Sequence, residues 1–588
     1  MTSFARDLPF GATLLAPDRT RFRLWAPACR EVAVEIDGHA VVSMQRKAEG
    51  WFQAETDCGA GACYRYRLDG GLIVPDPASR AQGPDVHDPS VVVDPRAYRW
   101  RHPAWPGRPW HEAVLYELHV GVLDGFAGVQ ARLPALAELG VSAVELMPIN
   151  DFPGRRNWGY DGVLPFAPDT AYGTPDDLKA LVDAAHGLGL MIFLDVVYNH
   201  FGPDGNYLAA YSPQFFRSDV HTPWGQAIDF RRPEVRRYFT ENALYWLMEY
   251  RFDGLRFDAV HAIATPDWLD EMAAEVRATV ERGRHVHLVL EHDGNDADHL
   301  RRDFDAQWND DAHHVLNVLL TGEADGYYAD YAGHPAERLA RCLSQGFAYQ
   351  GEPSAFRKGE PRGTPSADLP PTAFVMFLQN HDQVGNRPFG DRLVERANPA
   401  ALEAAIALQL LSPQIPLIFM GEEDACRAPF LFFTDHHGEL AVAVREGRRR
   451  EFAGFEGFRT GEMASAIPDP NALETFDRSR PSENGKESES RRSLYRRLLA
   501  LRAASVSPHL DGARALSAKA VGDAAVVARW RLGNGEVLTL AANLGRETCA
   551  VDAPKGELLF ELRTGAAAEM RQGRLPGLAT VAFREAAA

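Results

Sequence analysis

The chain has 588 residues, more than one hydrophobic core usually serves, so two or three domains are expected. An apolar fraction of 45% beside 24% charged residues is ordinary for a soluble globular protein. The formal net charge of −19 argues against nucleic acid or an anionic membrane as the main partner.

The amino terminus, "MTSFARDLPFGATLL", lacks the basic start and apolar core of a signal peptide. Six scattered cysteines form neither a metal-ligand pattern nor a disulfide framework, so a reducing, cytoplasmic setting is expected. Short strand-like runs follow, "RFRLWAPA", "EVAVEID", "WFQAET" and "CYRYRLDG", and their spacing predicts a small β-sandwich over residues 1–98. A proline- and tryptophan-rich connector, "RWRHPAWPGRPW" (99–110), opens the next region.

From residue 113 the rhythm changes. Eight buried strand-like runs, from "AVLYELHV" to "QIPLIFMGEED", alternate with helical stretches such as "TPDDLKALVDAAHGLG". This alternation predicts a (β/α)8 barrel within residues 99–506, and no strand is followed by a glycine-rich phosphate fingerprint. The most hydrophobic window, 401–421, contains two prolines and reads as helix, turn and buried strand, not as a membrane span. The charged stretches 438–456 and 478–492 read as exposed helices or loops, and residues 507–588 return to β as a second small sandwich.

The barrel strands end in polar clusters. Asp195, Asn199 and His200 close the third, Asp258 and His261 the fourth, and Glu291 and Asp293 the fifth. Asp310, Asp311, His313 and His314 follow the sixth, and Asn380, His381 and Asp382 close the seventh. The carboxyl ends of barrel strands form the catalytic face, so these residues should converge on one pocket. An acid at one strand end is usually a turn or a helix cap, but five consecutive strands ending in acids or histidines fit that reading poorly. In "FDGLRFDAVHAI" (252–263) a period of two aims Arg256 and Asp258 at one face. Such a buried pair is either a structural ion pair or part of an active site. Several carboxylates without a Cys/His metal set or a Ser–His–Asp signature suggest glycoside hydrolysis, which needs a nucleophilic carboxylate and an acid. Arg256 suits Asp258 to the first role, and the apolar run before Glu291 suits Glu291 to the second.

"DVVYNH" (195–200), "GLRFDAVH" (254–261), a Glu ending the fifth strand and "NHD" (380–382) resemble the four signature regions of the α-amylase family of glycoside hydrolases. The resemblance implies that Asp258 is the nucleophile, Glu291 the general acid/base and Asp382 the transition-state stabiliser. It also implies that His200 and His381 bind the attacked sugar and that Tyr160 of "NWGYDG" stacks on it. Asp195, Arg256 and His261 join that list as parts of the signature stretches. Longer stretches, among them "DAQWNDDAHHVLNVLLTGEADGYYADY", "FLQNHDQVGNR" and "LFFTDHHGELAVAVREGRRREF", resemble a trehalose-releasing branch of that family. They imply as substrate an α-1,4-glucan with a terminal trehalose, cut at the α-1,4 bond next to that trehalose. Asp310, Asp311, His313, His314, Gln383 and Asn386 would then bind substrate around the scissile bond. Neither an organic cofactor nor a metal is expected. The chain departs from the family at "EHDGNDAD" (291–298): His292 stands for a small residue, and as a cation it would disfavour a protonated Glu291 unless it points outward. Branching or debranching within the same family is the alternative, since water and sugar acceptors differ only in pocket shape. A non-catalytic glucan-binding homologue is a third reading, although this chain keeps every catalytic carboxylate.

Overall fold

A computed structural model describes residues 3–452, 465–482 and 485–587. The eight expected runs form barrel strands β1 (Leu115–Leu118), β2 (Ala143–Leu146), β3 (Met191–Val196) and β4 (Gly254–Phe257), then β5 (His287–Leu290), β6 (Ala306–Trp308), β7 (Phe374–Phe377) and β8 (Ile415–Phe419). Each pairs in parallel with the next, and β8 pairs with β1, which closes the barrel.

Alternate residues of each strand point inward. The lower inward layer is apolar, with Leu115, Met191, Phe193, Val289, Trp308 and Phe377 in one buried cluster. Burial of each such side chain stabilises the fold by roughly 1.5–3 kcal/mol. Gly254 leaves the space for this layer, because a Cβ there would lie 2.1 Å from the Phe193 ring. Toward the carboxyl ends the inward positions turn polar on four adjacent strands: Glu117, Glu145, Asp195 and Arg256, all buried. The helices are started by local chemistry. In Pro175–Gly187, for example, Thr174 and Asp177 form a reciprocal capping box and Pro175 takes the first helical position.

Residues 11–91 form two antiparallel sheets, one built on Arg19–Trp25 and Trp51–Asp57, the other on Val32–Ile36 and Cys63–Leu68. They pack on the barrel through Phe10 against Tyr238 and Trp25 against Phe215, with ring centroids 5.3 and 5.5 Å apart. The carboxyl-terminal region is a five-stranded antiparallel sheet from Arg514–Gly522 to Ala579–Glu585. Its second layer is thin: a two-stranded ribbon and the short helix Ala566–Arg571 cover Ala541, Val581 and Phe583. The hydrophobic window 401–421 is the helix Pro399–Leu411 followed by β8. Among the described residues no helix is long and apolar enough to cross a membrane. The charged stretches give helices Gly438–Phe452 and Lys486–Ser505, while 453–456 and 483–484 lie outside the described residues.

Candidate active site

Arg256 is the hub of the carboxyl-end face. Fully buried, its guanidinium lies 4.2 Å over the Trp308 ring and donates from one nitrogen to Asp195 at 2.7 Å and to Asp258 at 3.0 Å. Its other terminal nitrogen is 2.9 Å from Glu291, so the two candidate reacting carboxylates share one cation. Burial works against that cation, but the surrounding carboxylates keep it charged throughout the accessible range. Asn199 at the end of β3 donates to the second oxygen of Asp258 at 3.0 Å. The backbone turns sharply after Asp258: Ala259 is left-handed (φ 40°), and its amide donates to Glu291 at 2.7 Å. A non-glycine residue there carries local strain of about 1–3 kcal/mol.

Asp382 is the second residue of the short helix His381–Gly385, capped by the Asn380 side chain on the amide of Gln383 at 2.9 Å. Asn386 donates to Asp382 at 3.0 Å. Tyr160 donates to Asp195 at 2.6 Å, lies 2.8 Å from His381 Nε2, and stacks on that imidazole at 5.1 Å. Burial alone would lower His381, but the Glu117 and Asp382 charges outweigh it and hold the ring up to about 9. Asp195 is pushed up to about 7 by burial, which Arg256 opposes only in part. His200 is hydrogen-bonded to the Tyr160 carbonyl at 2.9 Å and to Asn199, and burial pushes it down. His261 is exposed on a single helical turn after β4, and its Nδ1 accepts from the Asp293 amide at 3.3 Å. His292, pushed down to about 4 by burial and by His261, is neutral near pH 7, so it places no cation beside Glu291.

A cleft of about 650 Å³ opens beside these groups, with Glu291, Asp310, His314, Asp382, Gln383 and Asn386 on its wall. Asp310 is held well above the carboxylate range by burial and by the Glu291 charge. His314 is held low by burial among the rings of Tyr327 and Tyr331, 4.8 and 4.9 Å away. Of the six residues expected to bind substrate around the scissile bond, Asp311 and His313 are not on the cleft wall. Asp311 is fully buried and saturated, accepting from Asn295 at 2.9 Å, from the Ala348 and Tyr349 amides at 2.8 and 3.0 Å, from Tyr331, and pairing with Arg362 at 3.0 Å. His313 is buried between the Leu378 carbonyl at 2.6 Å and the Tyr328 hydroxyl at 3.2 Å. Both corrections have one cause. Asn309 caps the helix Asp310–Thr321, and on a helix residues 310 and 314 share a face that 311 and 313 do not.

Residues 117–221 match the family described as alpha amylase, catalytic domain, and residues 513–582 match a domain of unknown function (DUF3459). Over 564 residues the chain is 43% identical to the malto-oligosyltrehalose trehalohydrolase of Deinococcus radiodurans, covering 93% of this chain and 90% of that protein. The chain belongs to the malto-oligosyltrehalose trehalohydrolase family. Similarity to the trehalohydrolase of Arthrobacter ramosus is 40% identity, covering 82% of this chain and 87% of that protein. A crystal structure assigned to an alpha amylase of Salmonella typhimurium superposes with a TM-score of 0.92 at 43% identity, covering 99% of this chain and 100% of that one.

In this trehalohydrolase-family chain, sequence reading passed over Glu117 and Glu145. The signal was available, because the parity argument used for Arg256 also turns these two acids inward on β1 and β2. It passed over Arg448 as well, whose guanidinium donates to the Gly385 carbonyl at 2.6 Å behind the Asp382 helix. Nothing local in "GRRREF" marks that contact.

Proposed function

We propose that this protein hydrolyses the α-1,4-glucosidic bond next to the terminal trehalose of a maltooligosyl trehalose and releases trehalose, by a retaining double displacement. The observation that carries the reading is the meeting of Asp258 and Glu291 on one guanidinium at the edge of a cleft, in a chain of this family. Asp258 attacks the anomeric carbon while Glu291 gives its proton to the departing trehalose oxygen. Water then attacks the glycosyl–Asp258 ester, losing its proton to Glu291, and the glucan chain leaves. Asp382 offsets positive charge developing on the ring. Tyr160, His200 and His381 hold the attacked glucose; Asp310, His314, Gln383 and Asn386 meet the trehalose side. We assign residues 1–98, 99–506 and 507–588 to the three domains. A cytoplasmic setting fits the six free cysteines.

The test is sugar analysis after incubation with maltotriosyl trehalose and, separately, with amylose. Free trehalose and maltotriose, with the new reducing end first appearing as the α-anomer by NMR, are expected. New α-1,6 branches in amylose without trehalose release would replace this reading by branching, and an inverted first product would remove the covalent intermediate.

A further inference from the structure

We propose that Glu117, at the end of β1, is a positioning residue: its carboxylate holds ring and backbone of His381 together, and so fixes an imidazolium that orients Tyr160 and the start of the helix bearing Asp382. The inference rests on the proposed function in taking Tyr160 and Asp382 to face the attacked glucose. One Glu117 oxygen accepts from the His381 amide at 3.0 Å, and the other lies 2.5 Å from its Nδ1. Both partners are buried, 1% and 2% exposed at the side chain, so water does not compete for these bonds.

Counting protons along the chain of contacts sets the state of the ring. With Asp195 ionised, its Oδ2 accepts from Arg256 at 2.7 Å and from Tyr160 at 2.6 Å. The tyrosine has then spent its one proton, and His381 Nε2 at 2.8 Å must donate to the phenolic oxygen. Nδ1 faces a carboxylate and must donate as well. With Asp195 ionised, only an imidazolium satisfies both ends.

The charged and titratable groups around that ring are Glu117, Glu145, Tyr160, Asp195, Arg256 and Asp382, with His119 beyond Glu117. Burial and Arg256 oppose the second proton; Glu117 and Asp382 hold it. Glu145 supplies an internal control on the neighbouring strand. Both its carboxyl oxygens are buried without a hydrogen-bond partner among the described residues, and burial with the Glu117 and Asp195 charges pushes it well above the usual carboxylate range. Glu145→Gln therefore keeps the size of a side chain on the same polar layer that holds neither the ring nor the backbone of His381. Glu117→Gln keeps the size but leaves one acceptor for two donors and removes the charge.

The experiment uses the full chain labelled with ¹⁵N-histidine, the His381 signal being the one lost in His381→Asn. In the parent the ring should stay doubly protonated at about pH 8, and in Glu117→Gln it should titrate at least about one pH unit lower. Turnover of Glu117→Gln near neutral pH should fall at least about tenfold with KM within about threefold, while Glu145→Gln stays within about twofold of the parent. A neutral His381 in the parent at about pH 8 overturns the proposal even if the variant does not fold. So does an unchanged titration in Glu117→Gln, or an equal loss in Glu145→Gln, which would mark general damage to the barrel. Titration needs no substrate, so it stands or falls apart from the identity of the sugar released.

Discussion

Glu291 lies 2.9 Å from the Arg256 guanidinium, which also pairs with Asp258, and accepts from the Ala259 amide at 2.7 Å. Glu291→Gln preserves size and should lower turnover about 10²–10⁴-fold, measured on maltotriosyl trehalose, with unchanged circular dichroism. Asp258→Asn should be at least as damaging, because no glycosyl ester can form; rapid-quench trapping of that ester should succeed in the parent and fail in the variant. Asp311→Ala belongs to a different class. It leaves the Arg362 cation buried beside an emptied acceptor, so destabilisation of the order of 3 kcal/mol is expected in urea unfolding. Residual activity should fall equally on trehalose-ended and plain maltooligosaccharides; a selective loss on the former would return Asp311 to the substrate. For His381 the sign of the pH dependence is set by a pKa raised from 6.5 to about 9. Its pairing with Glu117 stabilises the fold fully below the lower value and loses that contribution as pH rises through the upper one. The melting temperature gap between the parent and Glu117→Gln should therefore narrow from about pH 6 to about pH 9.5.

Strand β4 shows how an element, not a residue, places the chemistry. Its Gly254 makes room for Phe193 of β3 one layer below, and its Arg256 occupies the polar layer above. Gly254→Ala would put a methyl group 2.1 Å from the Phe193 ring, and overpacking of this kind costs about 1–3 kcal/mol. Pairing it with Phe193→Leu should recover part of that loss, a coupling that a double-mutant cycle of unfolding free energies would read directly. Independent costs that simply add would mean the strands relax apart without help. The helix Gly438–Phe452 works in a similar way on the opposite wall. Its Arg448, half-sandwiched over Phe432 and Phe452, donates to the last turn of the Asp382 helix.

Across the whole molecule one continuous apolar core runs from Leu8 in the first sandwich through the barrel to Ala582 in the last sheet. Buried ion pairs also cross the first junction, Arg80 lying 3.1 Å from Glu249 with both side chains at most 5% exposed. A chain lacking residues 1–98 would expose Tyr238 and Phe215 and leave Glu249 without this partner. It should be insoluble or molten, and the full chain should unfold in a single calorimetric transition; a truncated barrel that melts cooperatively would show the junction to be dispensable. Since two carboxyl groups suffice for the proposed chemistry, activity should persist after exhaustive EDTA dialysis, and a loss reversed by added calcium would contradict this.

By itself the sequence determined the barrel and the identity of its acids. Strand periodicity is a local property, and "GLRFDAVH" and "DVVYNH" state in a few residues which side chains turn inward. What only the tertiary structure decided is which polar groups meet. Glu117 and His381 are separated by 264 positions, and their pairing follows from barrel closure, which brings β8 and the turn after β7 against β1. The dense cluster 310–314 looked like one binding surface because its residues are adjacent in sequence. Once Asn309 starts a helix there, a 3.6-residue turn sends Asp310 and His314 to the cleft and folds Asp311 and His313 into the core.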